Sequence, residues 1–372
     1  MTPRELGALY PQVDAGKCID CQLCRRICAY QTQKTSENMP LLAYAAVAKD
    51  RKLLDRSASG GVFATLAGAI LNADGAVFGC SMEQENGTLI PKHICVESKE
   101  DLYKLQGSKY VQSDLGDTFK QVKQLLKQGR TVLFSGTPCQ VDALKKYIEG
   151  KQSQNLYTVD LICHGVPGAK LFQDYLAQLS KDRVTEFRFR DKTLGWGYTI
   201  KYCVTDDRGN QRRKTLPREL SSYSTYFLAS ETCRQSCYTC RYANLNRIGD
   251  VTIGDFWGIE EEHPDFLAEN GGSFSVREGI SAILVNTEKG VRLLEEYGQK
   301  LHLKESYSEA VAKWNRQLTG PGKHTDLRKE IVEQYEKNGY TSVEKLFRSR
   351  LGVQLYVRKL KHFIKKCLRG LR

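Results

Sequence analysis

Apolar runs of strand length alternate with amphipathic stretches of helix length along most of this chain. Residues 41–48 form a continuous apolar run that reads as a buried strand, and 62–71 form an apolar stretch of helix length. Residues 75–80 and 90–96 read as short strands, and 117–128 as an amphipathic helix. The segment T-V-L-F-S is a further apolar strand; Gly136 then turns the chain, Thr137 can cap, and Pro138 suits a first helical position. The helix so begun runs to about 148. A strand over 156–162 follows, then Cys163-His164-Gly165-Val166-Pro167 and another helical pattern. Strand, helix, strand, helix in that order predicts a parallel sheet, whose cofactors sit beyond the carboxyl ends of the strands. Cys139 and Cys163 emerge at that edge.

Further on, 187–190 and 198–204 alternate like antiparallel strands, and 223–230 reads as a helix. Residues 251–253 form a short strand between tight turns, 280–285 a buried strand, and 288–301 and 326–335 helices. The expected fold class is α/β (α+β overall). It divides into a ferredoxin-like module (1–38), an α/β domain with a partly parallel sheet (39–310), a helical segment (311–342) and a basic tail (343–372).

Net charge sharpens the reading of that tail. Ten of its residues are Lys or Arg and one is Glu, so it carries +9 of the chain's +13. The body is near neutral, which argues against a nucleic-acid binder. Leu351, Leu355, Leu360, Phe363, Ile364, Cys367, Leu368 and Leu371 fall largely on one side of a helix. Arg358, Lys359, Lys361, Lys365, Lys366, Arg369 and Arg372 fill the other. A helix of that length, about 45 Å, could lie on an anionic membrane or dock on a partner. The longest apolar run, 41–48, is too short to cross a bilayer.

Thirteen cysteines are many for 372 residues, and the first thirteen residues lack the apolar core of a signal peptide. The expectation is a cytoplasmic protein, peripheral on the inner membrane face if the tail binds there, with clustered thiols serving metals. Cys18, Cys21, Cys24 and Cys28 have the C-x2-C-x2-C-x3-C spacing of a [4Fe-4S] ferredoxin, with zinc as the lesser alternative. Ala29 stands where proline usually follows, which leaves Cys28 less secure. Cys233, Cys237 and Cys240 form a second group that needs a fourth ligand. Two [4Fe-4S] clusters need eight thiolates, and with Cys139 and Cys163 there are nine candidates. Either Cys139 or Cys163 completes the second site, or Cys28 is spare and both contribute. Cys139 also falls in the first turn of a helix, where the dipole favours thiolate.

Ser57-Ala58-Ser59-Gly60-Gly61 before an apolar helix suits a phosphate as well as it suits an ordinary capped core helix. Gly107-Ser108-Lys109-Tyr110 offers a hydroxyl, a cation and a ring to a cofactor, though a solvated turn would read the same. His164 could relay protons or simply be a hydrogen-bonded structural residue. Neither a G-x-G-x-x-G fingerprint nor a phosphate-loop motif occurs.

Together S-A-S-G-G, G-S-K-Y-V-Q-S, F-S-G-T-P-C-Q-V, V-D-L-I-C-H-G-V-P and G-D-V-T-I-G-D-F-W-G resemble the beta-subunit family of coenzyme F-420 hydrogenases and dehydrogenases. The resemblance runs from about Cys18 to Asn286. It implies an iron–sulfur flavoprotein oxidoreductase with two 4Fe-4S clusters and FAD, exchanging electrons with reduced deazaflavin, nicotinamide or ferredoxin. Some relatives of this kind accompany genes for surface polysaccharides. The resemblance also implies FAD contacts at Ser57, Ser59, Gly60, Gly61, Ser108, Lys109 and Tyr110, with Lys109 stabilising the reduced flavin. The alternative is an electron-transfer subunit that docks on a catalytic partner and has no substrate site of its own.

Overall fold

The computed structural model describes residues 1–28, 30, 39–148, 150 and 153–360. The chain opens with a ribbon of β1 (Thr2–Pro3) and β2 (Leu9–Tyr10), then a short helix α1 (Leu23–Ile27). Next come β3 (Leu42–Ala48), α2 (Arg51–Arg56), α3 (Val62–Asn72), β4 (Ala76–Glu85) and β5 (Thr88–Val96). They are followed by α4 (Thr118–Lys127), β6 (Val132–Gly136), α5 (Pro138–Tyr147), β7 (Leu156–Leu161) and α6 (Ala169–Leu179). A second region holds β8 (Arg183–Arg188), β9 (Thr199–Thr205), β10 (Gln211–Pro217) and α7 (Ser222–Leu228). The chain then re-enters the first with β11 (Val251–Asp255), α8 (Ile259–Glu262), β12 (Ser281–Val285), α9 (Glu288–Tyr297) and β13 (Leu301–Ser306). It finishes in α10 (Ser308–Trp314), α11 (Asp326–Asn338) and α12 (Tyr340–Leu351).

Eight strands make one sheet in the order β13-β3-β12-β11-β7-β6-β4-β5. The inner pairs β4/β6, β6/β7 and β7/β11 are parallel, and every other pair in the sheet is antiparallel. The fold is therefore mixed α/β with a partly parallel sheet, as the order of apolar runs predicts. Burial of both faces explains the continuous apolar character of the inner strands. In β6, Leu133 faces the layer of α3 and α9, while Val132 and Phe134 face the layer of α4 and α5. The smaller sheet β10-β9-β8 is antiparallel. It packs with α6, α7 and α12 around an aromatic core of Phe172, Tyr175, Phe187, Tyr223 and Phe347.

Four expectations shift. The helix at 288 stops at Tyr297, and the chain returns as β13 along the sheet edge. With Leu301 its one fully buried side chain, β13 has too weak an apolar signal to read in sequence. Strand β10 was not legible either, because Arg212, Arg213 and Lys214 face solvent. The first strand of the small sheet ends at Arg188, short of the expected 190. The largest change concerns the tail. Val343 and Phe347 are buried in the aromatic core, so 343–351 belongs to the body within α12, which breaks at Gly352 (φ 49°). Beyond the break Val353, Tyr356 and Leu360 are exposed. Phe363, Ile364, Cys367, Leu368, Leu371 and the basic positions from Lys361 onward lie outside the described residues. Among those described, no helix is long and apolar enough to cross a membrane.

Candidate functional site

One cavity of about 1180 Å³ opens beyond the carboxyl ends of the parallel strands. Gly79 and Cys80 of β4, Ser135 and Gly136 of β6, Ile162 and Cys163 after β7, and Gly254 and Asp255 of β11 all line it. This is the edge that parallel topology assigns to ligands. Its volume exceeds the usual range for a small-molecule pocket, about 300–1,000 Å³, and suits a dinucleotide.

Six of the seven residues expected to touch FAD line this cavity: Ser57, Ser59, Gly61, Ser108, Lys109 and Tyr110. Gly60 does not, for a steric reason. A Cβ there would meet Ala46 O at 2.1 Å, and its N–H donates to Ser281 Oγ at 2.9 Å, so it locks the loop onto the sheet. Gly60→Ala is expected to destabilise the fold by several kcal/mol through this backbone clash, seen as an earlier urea midpoint.

Lys109 is enclosed beside the cavity. Its Nζ donates to Lys104 O at 3.1 Å and Gln106 O at 2.9 Å, which leaves one of three donors over. Burial lowers its pKa to about 8, against the pull of Cys80. An unfolded lysine binds its proton up to about pH 10.4, so the unfolded chain holds more protons in the window between. Lys109 should then contribute a rise in stability with pH from about 8 towards 10.4, of about 3 kcal/mol, opposed by the buried thiols and read as the difference from a variant lacking the amine. Lys109→Met should remove that rise, as measured by urea unfolding of cofactor-free protein at pH 7.5 and 9.5.

Five thiols gather near the same strand ends. Cys139 occupies the first turn of α5 with Thr137 Oγ1 at 3.2 Å, and Cys163 Sγ accepts from Gly165 N at 3.4 Å. Cys163 interacts electrostatically with Cys237, Cys139 and Cys240, and Cys139 in turn with Cys237 and Cys240. Cys233 reaches this quartet through Cys237 alone among the thiols. It is buried behind Gly165, its Sγ 3.8 Å from His164 O, and its carbonyl receives Arg328 Nη1 at 3.0 Å.

Burial raises all five thiols, Cys139 to about 11, so the helix dipole does not make Cys139 a thiolate in the protein alone. That corrects the expectation from its place in the helix: desolvation outweighs the dipole, and a metal would have to displace the protons. Backbone N–H groups of Val166 and Arg234 at Cys237, and of Tyr242 and Ala243 at Cys240, favour the charged sulfurs. Arg234 Nε is buried beside the thiols with no hydrogen-bond partner.

Among the described residues no three His, Cys, Asp or Glu side chains stand ready to share a single metal ion. A cube asks for a wider set, since each thiolate binds a different iron. The quartet, its N–H donors and the orphaned Arg234 Nε fit such a group. Cys18, Cys21 and Cys24 are exposed and Cys28 is half-buried; the short helix α1 that carries Cys24 lies against α5.

Both ring nitrogens of His164 are engaged. Gln317 Nε2 donates to Nδ1 at 2.7 Å, so Nε2 carries the proton to Phe227 O at 3.1 Å. Burial holds the ring below its ordinary pKa. This is the setting of a positioned, neutral imidazole.

Sequence reasoning passed over two other groups. His93, pushed down to about 4 by burial, bonds Ser135 O and Ser113 Oγ, and Gln140 ties Ser113 to the start of α5. Arg190 is paired with Asp255, whose other oxygen accepts from Trp196 Nε1 at 2.9 Å. The signal for it was R-D-K ahead of G-W at 190–196, which periodicity alone renders as a strand end.

The family model for the carboxyl-terminal part of the coenzyme F420 hydrogenase/dehydrogenase beta subunit matches residues 129–309, so that stretch is similar to this family. A solved chain from the F420-reducing [NiFe] hydrogenase complex of Methanosarcina barkeri, studied by xenon derivatization, is similar at 16% identity. The TM-score is 0.49, over 80% of this chain and 94% of that one. Such a likeness is too loose to assign function. A comparison with curated proteins gives no match.

Proposed function

We propose that this chain is an iron–sulfur flavoprotein oxidoreductase that passes electrons between a soluble hydride partner, FAD and two 4Fe-4S clusters. The observation that carries this reading is the cavity itself. It is bordered on one side by Ser57, Ser59, Gly61, Ser108, Lys109 and Tyr110, and on another by Cys139 and Cys163. FAD, when bound, would supply hydride exchange with an organic partner and single-electron exchange with a cluster. The protein's own residues would do the holding. Ser57, Ser59 and Gly61 precede α3 and would bind the phosphates, while Lys109 would offer its remaining donor. Cys139, Cys163, Cys237 and Cys240 would ligate one cluster, and Cys18, Cys21, Cys24 and Cys28 the other. His164 would steady the loop that follows Cys163.

Anaerobic purification with iron, acid-labile sulfide and flavin assays tests this reading; a colourless protein would end it. Mixing with reduced deazaflavin, NADH, NADPH and reduced ferredoxin would then identify the partner. Exposure of Cys18, Cys21 and Cys24 favours a second reading, an electron-transfer protein whose N-terminal face docks on a catalytic partner. A protein of that kind should oxidise none of the three hydride donors alone.

The exposed Val353, Tyr356 and Leu360 beside Arg358 and Lys359 support attachment of the tail to an anionic membrane from the cytoplasmic side. Truncation after residue 352 should then abolish cosedimentation with anionic vesicles, and it should leave neutral vesicles unbound as before. Surface-polysaccharide synthesis is the setting that such attachment fits.

A further inference from the structure

Among the described residues, one nitrogen of Arg190, Nη2, has no hydrogen-bond partner. Nε donates to Gly197 O at 2.9 Å, and Nη1 reaches Asp255 Oδ2 at 2.5 Å. The other oxygen of Asp255 accepts from Trp196 Nε1. Nη2 is buried without a partner, and the side chain, 7% exposed, lines the cavity. A buried guanidinium donor left unpaired costs on the order of 1–3 kcal/mol or more, so the site is arranged for an acceptor from elsewhere.

The surroundings say what kind of acceptor. The guanidinium lies 4.9 Å from the Tyr198 ring centre and 5.6 Å from that of Trp257. Trp257 stacks on Trp196 at 4.5 Å, and Tyr110 lies 6.2 Å from Tyr198. Aromatic faces around a fixed cation suit a flat ring with oxygen or nitrogen acceptors at its edge. The next cation along the chain is already committed: Lys192 Nζ donates to Leu54 O and Ser59 O and so holds the S-A-S-G-G loop beside this wall. Lys109 has a single donor left. Arg190 and Arg234 each combine a permanent charge with an orphaned N–H group, but Arg234 lies beside the thiols and Arg190 among the aromatic rings.

Resting on the flavin reading above, we propose that Arg190 binds the ring of the cofactor through Nη2. Its fixed charge would stabilise the negative charge that reduction places on that ring. Sequence motifs pointed to Lys109 for this role, and the geometry adds Arg190 as the stronger donor.

The test uses the full chain purified anaerobically, as wild type, as Arg190→Lys, and as the charge-neutral pair Arg190→Gln/Asp255→Asn. The pair avoids leaving Asp255 buried and alone, and circular dichroism checks its fold. The readouts are the FAD dissociation constant, from fluorescence titration of stripped protein, and the flavin midpoint potential. Both variants should bind FAD about 10- to 100-fold more weakly, as loss of a charged hydrogen bond implies. The uncharged pair should also show a lower potential, and Arg190→Lys, which keeps the charge, a smaller fall, with iron content kept. Unchanged affinity and potential in folded variants would overturn the proposal. Weaker binding at an unchanged potential would overturn the assignment to the ring. Wild-type protein that neither holds nor takes up FAD would overturn the flavin reading, and the proposal with it.

Discussion

If the chain holds the two clusters proposed above, Cys237→Ser is expected to remove one of them, halving both iron and acid-labile sulfide per chain. Cys163→Ser should do the same, whereas Cys233→Ser should leave both values near those of wild type. The contrast follows from position. Cys237 interacts with Cys139, Cys163 and Cys240, and receives main-chain N–H groups from Val166 and Arg234. Cys233 is packed under Gly165 (φ +106°), where even a Cβ would meet its sulfur at 2.8 Å. A serine at 233 is nearly isosteric there, while a serine at 237 offers iron a hydroxyl in place of a thiolate. Iron and sulfide assays with electron paramagnetic resonance of the reduced protein read the difference. Full cluster content in Cys237→Ser, or half content in Cys233→Ser, would reverse the allocation.

Arg247→Met should be the most destabilising substitution around the site, by about 3–5 kcal/mol, the cost of stranding one partner of a buried ion pair. Arg247 is 1% exposed and faces Asp160, itself fully buried, at 3.3 Å. Its nitrogens also reach Tyr242 O, Asn244 O and Leu161 O. One side chain thus ties the loop after Cys240 to the end of β7, two residues before Cys163. Urea unfolding should show the loss of stability, and the second cluster should go with it. The double variant Arg247→Met/Asp160→Asn should recover part of the stability, because no charge is then left unpaired. A single variant as stable as wild type would mean the pair contributes little.

Much of this architecture was legible in the residue order. Apolar runs at 41–48, 131–135, 156–162 and 280–285 mark inner strands because both faces of those strands are covered. The T-P-C step after β6 set a helix start, and Thr137 and Pro138 occupy those positions. Edge strands were harder: β10 and β13 bury few side chains, so little hydrophobic pattern was imposed on them. The tail misled for a related reason. Its first turns carry the same mix of Leu and Arg as its end, yet Tyr340, Val343 and Phe347 are consumed by the body.

Sequence by itself determined which residue types were available and where the strands deliver them: thiols after β6 and β7, small and hydroxylated residues ahead of α3. Spacing along the chain also grouped Cys233 with Cys237 and Cys240. Only the tertiary structure set Cys237 and Cys240 beside Cys139 and Cys163, and left Cys233 buried with Cys237 as its one thiol neighbour. Likewise, only the fold brought Arg190, from the loop after β8, against Asp255 at the end of β11 and left a donor unmet. Local patterns encode direction and burial of an element, but a ligand set is a meeting of distant elements, fixed by how they pack.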